Sequence, residues 1–130
     1  MDQIQNALIE QMKSFSSAEA AAWLMEKFPL GNPDYWRAFE LFKHRSWKKS
    51  EQVALCRYYM QKVPFANARP YEAFARTMSL RTFLAILKEV QPSTEEDLQL
   101  FLYHVKSALN ASATTAADKE EVRLFLLSME

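Results

Sequence analysis

The stretch MEKFPLGNPDYWRAF, Met25 to Phe39, returns 35 residues later as MQKVPFANARPYEAF, Met60 to Phe74. Met, Lys, Pro, Asn, Ala and Phe coincide at six of the fifteen aligned positions, and Glu/Gln, Phe/Val, Leu/Phe, Gly/Ala and Trp/Tyr pairs fill five more. Each copy reads as a joint between helices. Pro29 and Pro64 stop a helix, because proline lacks a backbone N–H and its ring clashes with the preceding turn. Asn32 and Asn67 shape the turn that follows, and Phe39 and Phe74 belong inside the next helix. A recurring joint of this sort is what helical hairpins need when they stack one upon another.

Working outward, the composition favours helix throughout. The 130 residues are 49% hydrophobic, with one glycine and five prolines, and Ala, Leu, Glu, Lys, Gln and Arg outnumber the β-branched residues, which lose side-chain freedom in a helix. Apolar spacing and capping signals predict eight short helices. The first covers 2–15 with Ile4, Leu8, Met12 and Phe15 inward, and the second starts at the Ser16–Glu19 capping box. A third starts at Asn32–Pro33 and buries Trp36, Phe39 and Phe42; a fourth, capped by Ser46 or Ser50, runs to Pro64. Pro70 opens the fifth, Ser79 caps the sixth, the Ser93–Glu96 spacing caps the seventh and Thr115 the eighth. The expected fold is all-α: about eight short helices as stacked antiparallel hairpins in one domain, 1–130, with an irregular helical bundle as the alternative.

A joint that recurs every 35 residues, with two helices per unit, resembles the α-solenoid class, whose tetratricopeptide repeats run about 34 residues and HEAT repeats about 40 to 47. Pro29 and Pro64 sit where the terminal proline of a tetratricopeptide unit falls, while the Leu-Gly pair of its first helix is absent from both copies. The resemblance is therefore to the class, and it implies a scaffold that binds partners along a shaped surface.

Sixteen basic and sixteen acidic residues cancel, but unevenly along the chain. Residues 37–62 carry seven basic side chains against two acidic ones, net +5, whereas 1–36 are net −3 and 93–130 net −4. Aromatics crowd the same basic middle, and Trp, Tyr and Arg are the residues most enriched in binding hot spots. The expected partner-binding set is accordingly Tyr35, Arg37, Lys43, Arg45, Trp47, Lys48, Lys49, Arg57 and Tyr59, facing a protein partner of acidic character. A homodimer seam would use the same kind of face. The segment KHRSWKK, Lys43 to Lys49, also suits a nucleic-acid reading through Lys43, Arg45, Lys48 and Lys49, although a neutral chain without a nucleic-acid motif argues against it.

Nothing in the residue pattern asks for catalysis. One glycine cannot build a phosphate-binding loop, and neither His44 nor His104 has a ligand at metal-binding spacing. The carboxylates Glu95, Glu96 and Asp97 open a helix, where they complement its dipole. Cys56 is the single cysteine and sits among apolar neighbours, which predicts a core thiol without an internal disulfide. No cofactor or metal is expected, and the function expected is non-enzymatic: an adaptor, a chaperone or an immunity-type protein that occludes its partner. A start without a basic n-region and the lack of an apolar run of membrane-spanning length predict a cytoplasmic protein that does not enter membranes.

Overall fold

A computed structural model describes residues 3–129. Among them the chain is all-helical, with eight α-helices and no strand. These are α1 (Gln3–Lys13), α2 (Ser17–Lys27), α3 (Arg37–Phe42), α4 (Lys49–Tyr59), α5 (Arg69–Thr77), α6 (Leu80–Val90), α7 (Glu95–Ser112) and α8 (Ala116–Ser128), with a 3₁₀ turn, Met60–Lys62, closing α4. Each helix lies against the helix two along. One row runs α1 on α3 on α5 on α7, the other α2 on α4 on α6 on α8. That is the order taken by helical hairpins when each stacks on the one before.

The two joints share an asparagine turn, although the Val63–Pro64 bond of the second is cis and the Phe28–Pro29 bond of the first is trans. Asn32 Oδ1 accepts the N–H of Asp34 at 2.8 Å, and Asn67 Oδ1 accepts the N–H of Arg69 at 2.9 Å. Both are side-chain turns two residues deep, of the kind that asparagine makes well. The backbone N–H of Leu30 donates to the Tyr58 hydroxyl and that of Phe65 to the Tyr71 hydroxyl, each at 3.1 Å. Positions 30 and 65 are equivalents in the 35-residue alignment. A buried N–H without a partner costs about 1–3 kcal/mol, so each tyrosine satisfies a donor that the proline turn leaves outside any helix.

Between the joints lies an aromatic core. Phe39 meets Phe42, Tyr59, Phe65 and Phe74 at ring separations from 5.5 to 6.1 Å, and Phe42 lies 4.7 Å from Phe74. Met12, Leu24, Leu41, Leu55, Phe83 and Val105 are completely buried around it, each contributing about 1.5–3 kcal/mol of apolar burial relative to exposure.

Several local expectations are met by the structure. Ser16 and Glu19 form the full capping box, and Ser79 and Thr115 accept the N–H groups of Thr82 and Asp118. Others are corrected. Ile4 is exposed because the inward stripe of α1 is Gln5, Leu8, Ile9 and Met12, and Asp2 lies outside the described residues. The cap of α7 is Thr94, through Asp97, one residue later than expected. Neither Ser46 nor Ser50 caps α4; Lys48 stands at that position, and its N–H donates to Ser17 Oγ of α2 at 3.0 Å.

The largest correction concerns Trp36, which was expected inside and is 48% exposed. The segment from Asn32 to Phe39 winds by bonds three residues apart, Tyr35 to Asn32, Arg37 to Asp34, Ala38 to Tyr35 and Phe39 to Trp36. Such winding has three residues per turn rather than 3.6. The shift in phase carries the indole off the core side before α3 begins at Arg37, whose guanidinium lies 4.9 Å from the Trp36 ring.

Candidate functional site

The nine expected binding residues separate into structural parts and surface. Tyr59 is fully buried, and its hydroxyl donates to the carbonyls of Leu24 and Phe28 at 3.2 and 2.9 Å. It closes the C-terminal end of α2, where carbonyls lack partners within the helix; burial holds its phenol well above the ordinary range. Trp47 is buried too, with Nε1–H donating to Phe42 O at 3.0 Å and its ring edge-on to Phe42. The expectation that these two face a partner is overturned: a connection between short helices that crosses the core side must supply its own apolar filling.

Arg45 joins the same structural group. Its Nη1 donates to Phe15 O at 2.8 Å, at the end of the α1–α2 connection, while its guanidinium lies 4.9 Å from the Trp47 ring. A cation beside carbonyls left unpaired at a helix C-terminus is favourably placed. Arg57 reaches across from α4 to α6 and binds Glu89 with two hydrogen bonds, 3.1 and 2.9 Å, a geometry that holds the Glu89 carboxyl below its usual range. Arg81 of α6 reaches Glu121 of α8 with one hydrogen bond at 2.9 Å. These two arginines of the even row are thereby tied to the next helix along.

The other row differs. Lys43 and Arg76 have only loose partners within their own helical stretch, Glu40 at 3.6 Å and Glu72 at 3.8 Å. Arg69, which sequence reasoning missed, makes no ion pair among the described residues; at the start of α4, in the even row, Lys48 and Lys49 also stand exposed. Tyr35 is half-buried, with the Lys62 ammonium 5.4 Å from its ring and Phe39 edge-on beneath. Arg37, half-buried, approaches Gln5 Oε1 at 3.5 Å.

These groups line hollows that run into one another. One of about 400 Å³ lies between the two joints, walled by Tyr35, Trp36, Phe39, Phe65 and Arg69. It shares Phe39, Glu40 and Arg69 with the next, which lies between α3 and α5 and shares Lys43 and Arg76 with a third. The third shares Arg45, Ser46 and Trp47 with a fourth of about 570 Å³ at the N-terminal ends of α2 and α4, where Lys48 stands. The result is a trough with an aromatic end. Five cations line it, Lys43, Arg45, Lys48, Arg69 and Arg76, against Glu40, Glu51 and Glu72. Of the nine expected residues, Tyr35, Lys43, Arg45, Trp47 and Lys48 border it. Arg69 and Arg76 had one sequence signal, the fifth helix following the second copy of the joint.

No group of three His, Cys, Asp or Glu side chains among the described residues is placed to hold a metal ion. Cys56 is fully buried in α4, and burial pushes its thiol up to about 12. A thiol in that state is a poor nucleophile. Ellman's reagent is expected to leave Cys56 unmodified in native buffer and to titrate one thiol in denaturant; rapid native reaction would contradict the burial. No helix is long and apolar enough to cross a membrane among the described residues. Compared with known proteins, the chain matches no family model, no curated protein and no solved structure.

Proposed function

We propose that the protein is a non-enzymatic binding module, a helical-hairpin stack of the tetratricopeptide or HEAT kind that works in the cytoplasm by holding or occluding a protein partner. The observation that carries this reading is the contrast between two sets of cations. Arg57 and Arg81 are tied to carboxylates on the next helix of the even row, whereas Lys43, Arg69 and Arg76, in the trough beside α3 and α5, have weak partners or none. Exposed ion pairs of the loose kind contribute little to stability, so the trough cations have small structural value where they stand. A solvent-facing tryptophan beside them adds the sort of side chain that dominates binding energy. Adaptor, chaperone and immunity roles all need such a surface and no reactive group.

A photo-crosslinking amino acid tests this directly. Placed at Lys43, beside the trough, it is expected to yield a discrete protein adduct in the source cells; placed at Ala85, on the exposed side of α6, it is expected to yield none. Equal labelling at both positions, adducts to nucleic acid only, or no adduct at Lys43 would overturn the reading.

A further inference from the structure

The trough has features that narrow what it holds. Its hollows follow one another, each sharing lining residues with the next, and an extended chain, at about 3.3 Å per residue, places successive side chains along such a series. Its walls are unequal in charge, five cations to three carboxylates. The acidic members Glu40 and Glu72 lie three and four residues from Lys43 and Arg76 on their own helical stretches, so an incoming carboxylate competes for cations that are held only loosely. Arg69 has no such competitor and stands where the aromatic end begins. That end is the only segment of the trough walled by four aromatic rings: Tyr35, Trp36, Phe39 and Phe65.

We propose that the trough binds an extended acidic segment of a partner protein, with one aromatic or large aliphatic side chain seated between Trp36 and Phe65 and carboxylates meeting Arg69 and Arg76. The inference rests on the protein-binding reading and adds the chemistry of the ligand, its conformation and its direction-setting anchor. Charge complementarity selects the acidic partner and raises the association rate, while the aromatic end decides which acidic segment is retained.

Fluorescence anisotropy with defined probes tests it: a labelled twelve-residue peptide of Asp, Glu and Gly with one central Phe, the same peptide with Gly for Phe, a Lys-for-acid version, and a twelve-nucleotide oligothymidine. The Phe-containing acidic peptide is expected to bind tightest, with affinity falling as salt rises. Arg69→Glu with Arg76→Glu should weaken it at least tenfold. Trp36→Ala should weaken it about tenfold and leave the Gly-for-Phe peptide unchanged, because the indole and the Phe are one contact. Arg123→Glu, on α8, should bind like the wild type. Because Trp36, Arg69 and Arg76 are exposed, these changes leave the core intact, and a circular-dichroism melt verifies that. Equal binding of the Lys peptide, tighter binding of oligothymidine, or retention of affinity in the double charge reversal would each overturn the proposal. A protein adduct at Lys43 combined with no binding of either acidic peptide would overturn it too while leaving the wider reading intact.

Discussion

Replacing Tyr59 by alanine is expected to lower stability by about 3–5 kcal/mol, the range for removing a large ring from a well-packed core. The site explains why the effect is large. The ring touches Phe39, Phe42 and Tyr58 at 5.0 to 6.0 Å, and the hydroxyl is shared between two carbonyls at the end of α2. Alanine leaves a cavity at the meeting of α2 and α4 and takes the hydroxyl from Phe28 O, while Leu24 O keeps the Phe28 N–H. Tyr59→Phe separates the two contributions, since it keeps the ring and should lose about 1 kcal/mol, the net worth of a typical hydrogen bond. Urea unfolding followed by far-ultraviolet circular dichroism reads both changes. A shift below about 1 kcal/mol for the alanine variant would mean that Tyr59 is not the clip between these helices.

Trp47→Ala is expected to cost a similar amount, about 3–5 kcal/mol, for a different reason. Trp47 belongs to no helix. It lies in the α3–α4 connection, with its N–H donating to Phe42 O, its ring edge-on to Phe42 and the Arg45 guanidinium against it. Removing the indole exposes the aromatic core and releases Arg45 from its support, which loosens the bond to Phe15 O on the far side. The two residues are therefore coupled: Trp47→Ala with Arg45→Ala should cost clearly less than the two single losses added. Strict additivity would show that Arg45 is held by its backbone carbonyl partners, Phe15 O and Ser46 O, without the indole. Trp47→Phe keeps an aromatic filling and is expected to retain most of the stability.

How much of this was legible in the sequence depends on whether a local pattern or a distant partner decides a residue's place. Ser16 and Glu19 cap a helix from within four residues, and the structure follows the pattern. The fold class was legible for the same reason, because helix formers, capping residues and prolines act locally and all point one way. The joints were legible as joints, although their tyrosine clips were not: the Leu30 N–H finds Tyr58 twenty-eight residues on. Among the binding candidates, Trp47 and Tyr59 were misplaced by the same blindness. Composition marks an aromatic, basic region, yet a ring that fills a core and a ring that meets a partner have the same composition. Trp36 shows the converse failure, since α-helical spacing was applied to a segment wound more tightly. Arg69 was overlooked because it lies beyond the stretch in which positive charge is densest.

The stacking order of the helices carries a kinetic meaning as well. Each row grows by contacts between a helix and the one two along, so native pairings join segments a few tens of residues apart rather than the two chain ends. Chains whose contacts are this local close short loops, and helical proteins of low contact order reach the native state in microseconds to milliseconds. The two helices that flank the trough, α3 and α5, meet through Phe39, Phe42 and Phe74, so those rings also bring together two segments separated by only a few tens of residues of chain.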